Sequence, residues 1–408
     1  MIIALDARPL LRSQFQGVEQ RARNILAAWV RSGVDHQFHL LYPRPAEQSG
    51  NGGGDTTSHP YDESLLTSLP ANFHREAISA FHIPARMAIG TRLLNPLIRA
   101  LRRIKPDIYF AFDREVPRLK ICPVVPTYHD LACELDPAVS RMPASRHLRR
   151  TARLGIREVR RVNAVSSQTK YDIASVYGLP PERIDVIYNG IDPAFTPLPP
   201  STLAAAQLVH VANNISAPYL LTVGADIPRR NYARMLAAMQ IVWSTPDGAR
   251  TKWVLAGRDQ WERSPIYAAA RRAGVLDRMR FVATPGNAEL ADLYRGAMLT
   301  VCASSFEGFG LSVLESMACG AAVACSDMRS LREVAADAVV YFPHDDAQSM
   351  GQAIAGLLED AEYRRQLKYR GLQRATLFTW DVAAQLTLDS LQAACRQPGE
   401  VVPVIVPT

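Results

Sequence analysis

The chain has 408 residues, which favours two or three domains over one core, and its composition, 48% hydrophobic and 21% charged, is that of a soluble globular protein. It has no uncharged apolar run long enough for a membrane-spanning helix, and "MIIALDARPLLRS" is too short and too soon broken by Asp6 to read as a secretory signal. The net charge of +7 lies in residues 1–200, with 26 basic and 19 acidic side chains, and the six cysteines show neither metal nor redox spacing, so reduced, buried thiols are expected.

In chain order, strands are predicted at "IIALDA", "QFHLLY", "DIYFAF", "VVPTYHD", "RVNAVS" and "IDVIYN", with helical patterns between them. Residues 43–64 are rich in Gly, Ser and Pro and read as a mobile loop. "RHLRRTARLGIREVRR" places Arg146, Arg149, Arg150, Arg153, Arg157, Arg160 and Arg161 at helical spacing on one broad face. That face is either solvated or meets an anionic surface such as lipid headgroups or a phosphorylated acceptor. Nucleic acid is disfavoured, because no aromatics interleave the arginines.

The proline-rich residues 196–214 break the pattern, and the alternation restarts with "YLLTVGA", "KWVLAG", "MRFVA", "LTVCAS", "AAVACSD" and "AVVYF". The fold class is therefore α/β, with two doubly wound parallel units in tandem. The domains expected are 1–195, a linker over 196–214, 215–380, a helix over 381–396 and a tail over 397–408. Ligands in such units bind beyond the carboxyl ends of the strands, in the cleft between the two.

Four stretches carry chemistry. "VGADIPRRN" puts Arg229 and Arg230 before a helix beginning near Asn231, a strong anion site if dipole and guanidiniums add. "SSFEGFGLSVLESMACG" reads as loop then helix, starting at Leu311 or Ser312. It has Glu307 in the loop, Glu315 one turn into the helix, and Gly308 and Gly310 letting backbone approach a ligand. Acids at a helix start complement its dipole, which suits Glu315 better than Glu307. A buried loop carboxylate needs partners, and sugar hydroxyls are natural ones. "YHDLA" sets His129 and Asp130 past a strand end. "QGVEQ" puts Gly17 before a helix, where backbone could meet phosphate.

These motifs, in this order on two tandem units, resemble family 4 of the retaining glycosyltransferases, which have the GT-B fold of two Rossmann-like domains facing across a cleft. The resemblance implies a mannosyltransferase-like hexosyltransferase using a nucleotide-sugar donor such as GDP-mannose or a UDP-sugar. It implies no metal or other cofactor, and a glycan or lipid-linked acceptor in cell-surface polysaccharide synthesis. It implies a cytoplasmic protein with 1–195 as the acceptor-binding domain and 215–380 as the nucleotide-sugar-binding domain. The basic face of Arg146, Arg149, Arg150, Arg153 and Arg157 would suit an acceptor presented at the inner face of the cytoplasmic membrane, with peripheral attachment there. Glu315 would hold the ribose. Glu307 would hold the transferred sugar with the N–H groups of Phe309, Gly310 and Leu311, and Thr284 would line the donor site. Arg229 and Arg230 would hold the diphosphate, which Gly17 approaches from the other domain, and His129 would lie near the reacting sugar. The closing "LFTWDVAAQLTL" resembles the family's last helix, which crosses back to the first domain.

The sequence departs from the family pattern at Ala225, where an arginine is common, at Gln16 before Gly17, and at Arg230 in place of lysine. Two other readings stay open. One is a glycoside hydrolase with Glu307 and Glu315 as its acid pair, disfavoured because a helix amino end should depress the pKa a general acid needs. The other is a degenerate GT-B protein that only binds donor, glycan or a partner subunit.

Overall fold

The structure is a computed structural model that describes residues 1–11, 17–43, 68–79, 95–114, 121–156, 159–197, 215, 218–257 and 260–396. The loop expected at 43–64 lies, but for Pro43, outside these residues, as do Gln16, Arg157, most of the linker and the tail.

Two parallel sheets carry the fold. The first has the order β3-β2-β1-β4-β5-β6-β7, built from β1 (Ile2–Asp6), β2 (Gln37–Pro43), β3 (Phe73–Ile78), β4 (Ile108–Ala111), β5 (Val124–Tyr128), β6 (Val162–Ala164) and β7 (Ile184–Val186). The second has the order β10-β9-β8-β11-β12-β13, built from β8 (Tyr219–Val223), β9 (Lys252–Gly257), β10 (Met279–Ala283), β11 (Leu299–Cys302), β12 (Ala322–Ser326) and β13 (Val340–Phe342). The inner strands β4, β5, β11 and β12 are buried along their whole length, as continuous apolar runs must be when helices cover both faces. In each sheet the strand order reverses beside the first strand, which opens a crevice there at the carboxyl ends.

The helices that matter for the site are α1 (Gly17–Ser32), α2 (Pro143–Gly155), α3 (Ser167–Tyr177), α4 (Tyr232–Trp243), α5 (Asn287–Gly296), α6 (Leu311–Ala318), α7 (Arg329–Ala335) and α8 (Trp380–Cys395). α8 does cross back. Its Trp380, Ala384, Leu388 and Leu391 join the core of the first sheet with Ile25 and Trp29 of α1. Trp29 Nε1 donates to Ala384 O at 3.0 Å, and Ser390 Oγ donates to Asp185 Oδ2 at 2.6 Å. The crossing is tight: a Cβ on Gly190 would sit 2.2 Å from Trp380 N.

Two expectations fail. The strand β3 was not expected, because "FHREAI" carries three polar residues; it is an edge strand pairing only with β2, where such residues are tolerated and discourage further pairing. The basic run is not one helix face either. α2 ends at Gly155, and Arg161 lies beyond it, buried in an ion pair with Asp185 beneath α8. Arg160 reaches Ala394 O at 3.4 Å. Within the run, Arg146, Arg150 and Arg153 are exposed and Arg149 is half-buried.

Candidate active site

The arginines sit where the second sheet reverses. After β8, Gly224 adopts φ 138°, and a Cβ there would come within 2.8 Å of Arg230 Nε, so the turn must be glycine for the guanidinium to lie across it. Pro228–Arg230 form a 3-10 turn, and Asn231, at φ 60°, redirects the chain into α4. The Asn231 amide donates to Ala303 O at 3.1 Å and to His344 O at 2.7 Å, and Ser305 N donates to Arg229 O at 2.8 Å. The arginine turn is thereby fixed to the loop after β11.

That loop carries Glu307. Only 8% exposed, it accepts from Arg229 Nη1 at 3.1 Å, from Arg230 Nη1, and from Ser304 Oγ at 2.9 Å. Burial alone would raise its carboxyl, but the Arg230 and Arg229 charges outweigh burial and hold it below the usual range. The partners that a buried Glu307 requires are thus the two arginines and Ser304 of its own domain. The anion site expected at the arginines already holds an internal anion. Arg230 Nε is buried with no hydrogen-bond partner.

α6 begins at Leu311 as expected. Its N-cap is Gly310, at φ 100°, which offers no side chain to the first-turn amides. Val313 N donates to Gly310 O at 3.1 Å, whereas the Leu311 and Ser312 amides and the positive end of the helix form an acceptor-seeking pole beside Glu307. Phe309 turns its ring into the core against Tyr188 and Phe378.

Glu315 differs from Glu307. It is 6% exposed and accepts from Tyr294 Oη of α5 at 3.0 Å and from Gln20 Nε2 of α1 at 3.2 Å. Burial dominates, only partly offset by these two donors, and raises its pKa from 4.5 to about 7. The expectation that a helix amino end would depress both acids is therefore wrong for Glu315. Among the described residues no cation forms an ion pair with it, and burial outweighs its two neutral donors.

The first domain closes over this wall. A Cβ on Gly308 would lie 1.7 Å from His129 O. Gly17, the first residue of α1, would place one 3.2 Å from Leu311 Cδ1. His129 Nε2 is 2.8 Å from Phe112 O, a carbonyl that can only accept, so Nε2 carries the proton; burial lowers the pKa and keeps the ring neutral near pH 7. Thr284, at φ 45°, donates its N–H to Gly257 O, at the mouth between β9 and β10.

The fold thus gathers Gly17, His129, Arg229, Arg230 and 307–315 at one cleft. Gln20, Tyr294 and Ser304 were missed. Only the placement of Gln20 three residues after Gly17, on a helix already aimed at the cleft, could have pointed to it.

The model of the group 1 glycosyl transferases matches residues 210–374, and that of glycosyltransferase family 4 matches residues 15–195. Together they cover every strand of both sheets except β1. The chain belongs to glycosyltransferase family 4. It is 27% identical over 304 residues to O-antigen chain mannosyltransferase B of Escherichia coli, covering 73% of this chain and 78% of that one. Several D-inositol 3-phosphate glycosyltransferases match over little more than half of their length. Among solved structures, a sucrose-phosphate synthase of Thermosynechococcus elongatus aligns with TM-score 0.72 at 18% identity, over 96% of this chain and 98% of that one. Anabaena HepE in complex with UDP and glucose aligns with TM-score 0.68 at 18% identity, over 96% and 99%. The fold is GT-B.

Proposed function

We propose that this glycosyltransferase moves a hexose from a nucleotide-sugar to a glycan or lipid-linked acceptor in cell-surface polysaccharide synthesis, with retention and without a metal. The carrying observation is the Arg229–Glu307–Arg230 cluster at the uncapped start of α6. An arriving diphosphate takes over the two guanidiniums, including the unpartnered Arg230 Nε. Glu307 is thereby released to accept from hydroxyls of the sugar. Negative charge that builds on the leaving diphosphate meets Arg229, Arg230 and the α6 amides, which supply the stabilisation a metal would otherwise give. Glu315 accepts from the ribose hydroxyls, Gly17 brings the backbone of α1 toward the phosphates, and Thr284 borders the base. His129, neutral and fixed by Phe112 O, lies beside the reacting sugar as a hydrogen-bonding group. The acceptor hydroxyl attacks from the same face that the diphosphate leaves.

Likeness to the Escherichia coli mannosyltransferase makes GDP-mannose the first donor to test, and a UDP-sugar the second, since HepE was solved with UDP. The exposed Arg146, Arg150 and Arg153 beside the exposed Met142 and Leu135 suit peripheral attachment to the inner face of the cytoplasmic membrane. A thermal-shift panel of UDP, GDP, dTDP and ADP with their hexoses tests the reading. The donor raises the melting temperature by mass action, whereas a flat panel refutes it.

A further inference from the structure

The donor loop is held in shape by the opposite domain. Ser166, the N-cap of α3, has its Oγ 2.6 Å from Gly308 O, and Thr169 Oγ1 lies 3.3 Å from the same carbonyl. Both side chains are fully buried. From the second domain, Glu333 of α7 accepts from Ser167 N at 2.7 Å, from Gln168 N at 3.3 Å and from Tyr188 Oη at 2.6 Å. Two of the first amides of α3 are thus capped by a carboxylate that belongs to the other domain, in addition to the N-cap bond from Thr169 N to Ser166 Oγ at 3.0 Å. On the same loop, Ser330 Oγ donates to Glu307 O at 2.6 Å, so two consecutive carbonyls are tied down, one from each domain.

A trans peptide is planar, with its C=O and the following N–H pointing in opposite directions. A hydroxyl that fixes Gly308 O therefore also fixes where the Phe309 N–H points. We propose that Ser166, Thr169 and Glu333 are positioning residues that couple domain closure to the donor-sugar subsite. Docking of the start of α3 onto Gly308 and Glu333 orients the Phe309 amide and the loop leading into α6, and the loop loses that orientation when the cleft opens. The inference rests on the reading of 307–311 as the donor-sugar wall. It assigns to the acceptor domain a part in building that wall.

The test compares Thr169→Val, Thr169→Ser and Glu333→Gln with the wild-type full chain, by amide hydrogen exchange without ligand and by steady-state kinetics. Thr169→Val and Glu333→Gln should raise exchange at 308–311 about tenfold, since a closed-state contact is lost. Both should lower kcat about tenfold, with nucleoside diphosphate affinity within about twofold of wild type. Thr169→Ser, which keeps the hydroxyl, should restore both properties. Unchanged exchange and kcat in Thr169→Val and Glu333→Gln would overturn the proposal. So would equal loss in Thr169→Ser, or a fall in kcat matched by lost nucleoside diphosphate affinity. A wild-type chain that turns over no donor defeats the transferase reading instead, and the exchange measurement still decides the coupling.

Discussion

Replacing Gly308 by alanine is the sharpest perturbation the geometry offers. The added Cβ would sit 1.7 Å from His129 O and 3.0 Å from Asp130 Cβ. A carbon–oxygen contact settles at about 3.3 Å, so the carbonyl must retreat by about 1.6 Å. Gly308 does not have a positive φ, so the cost is steric and not conformational. The obstructing atom is backbone of the other domain, so the way to relieve the clash is to part the domains. Overpacking of this kind costs about 1–3 kcal/mol, which lowers the closed population by about 5–150-fold relative to the open one. Binding groups that belong to the second domain alone, Arg229, Arg230 and Glu315, survive this opening. Gly308→Ala should therefore lower kcat by about 5–150-fold, while nucleoside diphosphate binding by calorimetry changes little and the scattering radius increases. Gly356→Ala is the control: it lies within a helix with nothing near its added Cβ, and should stabilise the fold by about 0.5–1 kcal/mol without affecting kcat. Wild-type kcat and radius in Gly308→Ala would refute the reasoning.

Other perturbations separate the remaining parts of the site. Glu315 titrates near 7, so nucleotide affinity should rise from pH 6 to pH 8 as its carboxylate forms, and Glu315→Gln should flatten that profile in calorimetric titrations. Its raised pKa gives the opposite slope for stability. The contribution is complete below the unfolded value of about 4.5 and is lost as pH rises through about 7, so the ligand-free melting temperature should fall less steeply over that window in Glu315→Gln. Glu307→Gln frees both guanidiniums from their internal anion. It should bind nucleoside diphosphate at least as tightly as wild type by calorimetry while losing about 10²-fold or more in transfer, whereas weakened diphosphate binding would contradict the ion-pair exchange. Charge reversal at Arg150 and Arg153 should reduce sedimentation with anionic vesicles, at about 1 kcal/mol for each lost contact, and leave transfer to a soluble acceptor unchanged.

Much of the architecture was legible because parallel strands announce themselves as short apolar runs between helical patterns. Twelve strands lie where their sequences predict them, and α6 starts at Leu311 because two glycines precede an apolar helix. β3 was hidden because an edge strand needs only one apolar face. The arginine run misled because helical spacing continues in sequence past Gly155, while burial of Arg161 against Asp185 is a tertiary event. At the site, the identities of the two glutamates were readable but not their states. What separates them is contact across long stretches of sequence. Arg229 and Arg230 reach Glu307, and only neutral Gln20 and Tyr294 reach Glu315. The same holds for Gly308, whose glycine is required by His129, 179 residues earlier in the chain.

The central claim, that this cleft transfers a hexose from a nucleotide-sugar with retention, is tested most directly by time-resolved proton NMR of the wild-type chain with a panel of α-linked nucleotide-sugars and acceptor. The account predicts loss of one donor's anomeric signal, matched by release of nucleoside diphosphate and growth of an α-anomeric product signal. A β-anomeric product, or no turnover of any donor alongside hydrolysis of an aryl glycoside, would contradict it.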